Sequence, residues 1–197
     1  MRRYIVGITG ASGSIYGVRL IEELIKEDTE VYLVITNNGR KVLEYELEIN
    51  FENWLKNINK SKGKLKLCDI DDMFSSIASG SFKSDGMVIV PCSMGTLSKI
   101  SNGISDNLLI RAADVMIKEK RKLILIPRET PLSSIHLRNM LFLSNLNVLI
   151  IPPMPAFYEK PKTIEDIVNV TVGRILSSLN VDNELHHEWG TTNDKNK

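Results

Sequence analysis

The sequence predicts a doubly wound α/β domain with a mostly parallel sheet, and three observations predict it. Short, nearly continuous apolar runs mark strands buried on both faces, as in Glu-Val-Tyr-Leu-Val-Ile-Thr at 30–36. Segments with apolar residues at helical spacing alternate with these runs along the chain. The first strand ends in a loop of small residues, Thr9-Gly10-Ala11-Ser12-Gly13-Ser14, of the kind that opens a helix onto an anion.

The elements follow in order. Tyr4 to Ile8 is the first strand, and Val18, Ile21, Leu24 and Ile25 form one side of the helix after it. The run to Thr36 is the second strand. Asn37-Asn38-Gly39 then turns the chain, an asparagine capping a helix over 40–48. A helix over 51–58, an alternating strand over 64–68 and a short helix over 71–79 come next. Met87 to Val90 is a buried strand running into Pro91-Cys92-Ser93-Met94-Gly95-Thr96. Asn107 caps a helix whose last turn is rich in lysine and arginine, where the helix dipole favours cations. Leu123 to Ile126 is a strand, 135–143 a helix and 148–151 the last strand. The prolines at 152, 153 and 155 prevent regular structure. Thr163-Ile164-Glu165-Asp166 starts a final helix in the manner of a capping box. Residues 1–180 are expected as one domain and 181–197 as a polar tail.

Composition narrows the function. With 197 residues, 43% of them hydrophobic and 25% charged, the chain can bury a sizeable core. A net charge of +1 gives no basic excess to recruit nucleic acid or a membrane surface. Cys68 and Cys92 are far apart in sequence, so neither a disulfide framework nor a zinc site is expected, and a reducing cytoplasm suits them. Neither a secretion signal nor a membrane-spanning run is expected.

In a doubly wound fold the loops after the strands converge on one crevice. The first loop lacks the G-x-G-x-x-G spacing, and Thr36, Asn37 and Asn38 stand where a dinucleotide site wants an acid for the ribose. A mononucleotide such as FMN, with one phosphate, fits better. Arg128 and Glu129, between two prolines, offer a fork for an anion and a carboxylate to move a proton. Tyr158 and Lys162 have the spacing of a short-chain dehydrogenase dyad, but Pro161 argues against the helix that pair requires. His136 reads as structural, His186 and His187 cannot chelate as an i, i+4 pair, and no metal is expected. Ser12 and Ser93 lack the partners of a hydrolase triad.

Several stretches together resemble the UbiX-like flavin prenyltransferases, formerly described as aromatic acid decarboxylases. They are Gly7-Ile8-Thr9-Gly10-Ala11-Ser12-Gly13, Ile77-Ala78-Ser79-Gly80-Ser81 and Gly86 to Met94, followed by Ser105-Asp106-Asn107-Leu108-Leu109 and Arg111-Ala112-Ala113-Asp114-Val115. Pro127-Arg128-Glu129-Thr130-Pro131-Leu132, Ile135-His136-Leu137, Asn139-Met140-Leu141 and Pro155-Ala156-Phe157-Tyr158 complete the series. The resemblance implies a flavodoxin-like or Rossmann-like three-layer sandwich and a homododecamer with sites at subunit interfaces. It implies transfer of a dimethylallyl group from dimethylallyl monophosphate to N5 and C6 of reduced FMN, with release of phosphate. The prenylated FMN would serve UbiD-like decarboxylases.

Carried over residue by residue, the resemblance gives FMN to Gly10, Ala11, Ser12, Thr36, Ser93, Met94, Gly95, Thr96 and Arg128. It gives the prenyl phosphate to Tyr158 and Arg174 with Lys118 and Glu129, and places Arg111 close by. Glu46 is expected from a neighbouring subunit, Trp189 beside the prenyl group, and Ser12 and Glu129 at the proton steps. Thr36 departs from the serine of many members but keeps the hydroxyl. Three other readings compete. An FMN-dependent decarboxylase of cysteine-type substrates needs an early histidine, and none precedes His136. A flavin carrier has no use for Lys118, Glu129, Tyr158 and Arg174, and an NAD-dependent dehydrogenase lacks its ribose acid.

Overall fold

A computed structural model describes residues 1–58 and 62–185 of the chain. The elements are β1 (Arg2–Ile8), α1 (Ser14–Leu24), β2 (Thr29–Ile35), α2 (Asn37–Leu47), α3 (Phe51–Ile58) and β3 (Lys64–Cys68). There follow β4 (Gly86–Cys92), α4 (Met94–Ser101), α5 (Leu108–Lys118), β5 (Leu123–Pro127), α6 (Ser134–Asn145), β6 (Leu149–Ile150) and α7 (Ile164–Ser178). The six strands form one sheet in the order β3-β2-β1-β4-β5-β6. Every pairing is parallel, as strands with apolar residues on both faces require.

Alternate residues of the strands serve two cores. On one face Val6, Ile8, Val31 and Leu33 pack with Leu20 and Ile21 of α1, Leu43 of α2, Phe51 of α3 and Val172 of α7. On the other, Ile5, Val34, Met87 and Ile89 pack with Leu97 of α4, Leu109, Ala112 and Met116 of α5 and Leu143 of α6. The result is the doubly wound, three-layer α/β sandwich that the sequence predicts, with the strand order of the Rossmann-like alternative.

Three local expectations change. The α2 cap is Thr36, whose Oγ1 accepts from the Gly39 N–H at 2.9 Å, and both asparagines lie inside the helix. The helix expected over 71–79 shrinks to a 3-10 turn at Ser76–Ala78. Asp69 and Asp72 take the N–H groups of Asp71 and Phe74 with their side chains, which competes with helical bonding. Residues 94–101, which the sequence left without an element, form α4. The expected capping box of Thr163 and Asp166 is present at the start of α7. Ser133 and His136 form a second one at the start of α6, which gives the histidine a structural role.

Candidate active site

The order of the strands reverses between β1 and β4, and their carboxyl ends open there on a cleft of about 580 Å³. Thr36, Ser93 and Asn107 line it, and each is the N-cap of a helix. Their side chains accept from the N–H groups of Gly39, Thr96 and Ile110. Three helix N-termini, those of α2, α4 and α5, therefore bring their positive ends to one cavity. Such a place holds an anion without a dedicated charge. Leu109 and Ile110 give the same cavity an apolar wall.

A buried threonine holds the cleft together. Thr9 Oγ1 donates to the Pro91 carbonyl at 2.8 Å and accepts from the Ser93 N–H at 2.8 Å, bolting the end of β1 to the end of β4. Gly10 borders the cleft beside it, and a Cβ there would lie 2.8 Å from the Asn38 Cβ, so no side chain fits.

The N-terminus of α1 is used differently. Gly13, at φ 105°, is a left-handed N-cap without a side-chain bond of its own. The Glu46 carboxylate accepts from the Gly13 N–H at 3.0 Å and the Ser14 N–H at 2.9 Å. Burial raises the pKa of Glu46, but bonds from the Ser12 hydroxyl and from the Ser14 and Gly13 N–H groups outweigh it, leaving the pKa below its ordinary value. The N–H groups of Gly13 and Ser14, expected to cradle a phosphate, hold the chain's own carboxylate. Glu46, expected at the site of a neighbouring subunit, bonds within this chain from α2 to the N-terminus of α1, which packs beside it.

Of the residues expected to hold FMN, Gly10, Thr36, Ser93, Gly95 and Thr96 line the cleft together. A Cβ on Gly95 would meet nothing within 4 Å, which leaves open space over the first turn of α4. Arg128 stands beside Ser93, its N–H donating to the Cys92 carbonyl at 3.2 Å. Ala11 is buried behind the loop, and the Met94 side chain belongs to the core below the sheet. The sequence reading missed Asn107 and Lys99 as cleft residues, although the capping asparagine was itself legible.

The expected prenyl-phosphate residues are not gathered by one chain. Lys118 ends α5, about 15 Å down the helix from the cleft. It pairs there with Glu119 at 2.5 Å. Arg111 is bound to the Ala78 carbonyl at 3.1 Å and to Asp114 at 2.7 Å. Arg174, on α7, borders a separate groove of about 310 Å³ with Ile150, Pro152 and Met154. Because α5 and α7 pack on opposite faces of the sheet, Lys118 and Arg174 of one copy do not meet. Tyr158 is exposed in a 3-10 turn at Phe157–Glu159, and the Glu129 carboxylate accepts from the Thr130 N–H at 2.9 Å. Trp189, His186 and His187 lie outside the described residues.

Comparisons with known proteins bear on this geometry. The flavoprotein family model matches residues 1–176. A flavin prenyltransferase UbiX of Methanocaldococcus jannaschii is 51% identical over 189 residues, covering 96% of this chain and 99% of that protein. The crystal structure of AnUbiX (PadA1) in complex with FMN and dimethylallyl pyrophosphate has a TM-score of 0.90 at 40% identity, covering 97% of this chain and 98% of the other. A dodecameric FMN-dependent UbiX-like decarboxylase from Escherichia coli O157:H7 has a TM-score of 0.87 at 41% identity, covering 95% and 98%.

Proposed function

We infer the activity from one premise: the chain belongs to the flavoprotein family and, within it, to the UbiX flavin prenyltransferases. It is a prenyltransferase that moves a dimethylallyl group from a dimethylallyl phosphate to reduced FMN. The observation that carries the site assignment is the cleft itself. Its three converging helix N-termini suit one phosphate, its wall of Leu109 and Ile110 suits a ring system, and five residues expected to hold FMN border it.

When bound, reduced FMN supplies the nucleophilic N5 and C6 positions. The chain's residues do the rest. Thr36, Ser93, Thr96 and Arg128 bind the flavin, and Thr9 keeps the Ser93 loop in place. The allylic C–O bond breaks more easily when cations hold the charge on the departing phosphate, which is the role of Lys118, Arg111 and Arg174 with the Tyr158 hydroxyl. Holding the reacting atoms in contact and excluding water protects the allylic cation. Ser12, bonded to Glu46, and Glu129 are the groups placed to move protons.

The donor residues of one chain are dispersed over both faces of the sheet, which supports a site completed by neighbouring copies. A dodecamer like that of the Escherichia coli relative is the assembly we propose. A UbiD-like decarboxylase is the proposed recipient of the product, in the cytoplasm. Among the described residues no helix is long and apolar enough to cross a membrane.

Anaerobic incubation with reduced FMN and dimethylallyl monophosphate, followed by mass spectrometry of the released flavin, tests the reading. The expected flavin is heavier by one isoprene unit, and phosphate is released. A flavin of unchanged mass with both the monophosphate and the diphosphate would overturn it.

A further inference from the structure

Lys99 is the one cation among the described residues lining the cleft. It lies in the last turn of α4 and is paired with Asp106 at 2.5 Å. Asp106 immediately precedes Asn107, the N-cap of α5, and accepts a weaker bond from the Asn107 side chain at 3.3 Å. A carboxylate thus sits against the positive end of a helix and against a lysine, at the rim of a cleft built for an anion. Both side chains are nearly half exposed, at 43% and 46%. An ion pair that open to water is weak and easily exchanged.

We propose that Lys99 is a flavin-phosphate residue, and that Asp106 holds it at the rim until the phosphate of FMN displaces the carboxylate. The reading rests on the cleft being the flavin site. The chemistry favours the exchange, because a phosphate monoester carries nearly two negative charges at neutral pH and a carboxylate one. The N-termini of α2, α4 and α5 favour the more highly charged anion in the same direction. The alternative role for Lys99 is a cation that complements the C-terminal end of α4 and ties down the loop to α5. The two roles predict opposite signs for Asp106.

The test is equilibrium binding of oxidised FMN and of riboflavin, which lacks the phosphate, followed by quenching of flavin fluorescence. Binding of FMN by the unaltered protein checks the flavin site itself, separately from the role of Lys99. Lys99→Met is expected to weaken FMN about tenfold or more and to leave riboflavin unchanged. Asp106→Asn is expected to tighten FMN several-fold, because the competing anion is gone, again without effect on riboflavin. The double variant is expected to match Lys99→Met. An equal loss for both flavins in Lys99→Met, or a weakened FMN in Asp106→Asn, would overturn the proposal and leave Lys99 as a structural cation.

Discussion

Glu46 does at the N-terminus of α1 what a bound phosphate does in many related folds. Its carboxylate takes the Gly13 and Ser14 N–H groups and the Ser12 hydroxyl. The net shift of its pKa is downward from 4.5, so the charged form is the one the fold favours. The contribution is fully present above the unfolded value and is lost as the pH falls through the folded one. Glu46→Gln keeps an acceptor and removes the charge, so it is expected to lower stability by about 1 kcal/mol at neutral pH. Urea unfolding checks this, and the gap between the two proteins should narrow as the pH is lowered to about 4 and below. A constant gap would mean that shape, not charge, is what Glu46 supplies. The sequence singled out Glu46 for the site but gave no sign of its bonds to α1 of its own chain. Glu46 is 33 residues from Gly13, and only the packing of α2 on α1 brings them together.

The connection between elements that matters most is β1 to β4 through Thr9. Its side chain is buried and makes two backbone bonds across the switch point, one of them to the N-cap residue of α4. Thr9→Val preserves the shape but leaves the Ser93 N–H without its acceptor, at a cost of about 1–3 kcal/mol. FMN affinity is expected to fall with stability, because the start of α4 is what Thr9 positions, and Thr9→Ser should recover the affinity. Denaturant unfolding alongside flavin titration reads both effects. Unchanged affinity in the valine variant would remove Thr9 from the site. Elements of this kind divide by legibility. The buried parallel strands and the capped helices α5 and α7 were readable, since pattern and cap agreed. Helix α4 was not: it has eight residues, with Gly95 and three hydroxyl residues (Thr96, Ser98 and Ser101) within them, so its local propensity is low and packing of Leu97 and Ile100 sustains it. The aspartates at 69–72 misled in the opposite direction, since they bind backbone N–H groups in turns.

At the scale of the whole molecule, the cleft proposed for flavin is built within one chain, whereas the residues proposed for the prenyl phosphate are dispersed over both faces of the sheet. The sequence gives no direct sign of this division. Lys118 and Arg174 lie on helices that cover opposite faces of the sheet, and that fact belongs to the topology, not to any local pattern. One phosphate held by both must therefore lie between copies. Helix α6 offers surface for such contacts, since Ile135, Leu137, Leu141 and Phe142 are all exposed on it. The consequence is a complementation experiment. Lys118→Met and Arg174→Met are each expected to form flavin-binding assemblies with little turnover. Unfolded together and refolded in equal amounts, they should regain activity, because a site can draw its lysine from one kind of chain and its arginine from the other. Random mixing puts intact partners in about one quarter of the sites, which sets the expected recovery. Recovery near that level, measured as phosphate release per bound flavin, would establish that the two cations come from different copies. Assemblies shown by native mass spectrometry to be mixed, yet still inactive, would mean that Lys118 and Arg174 serve the same phosphate from a single copy or not at all.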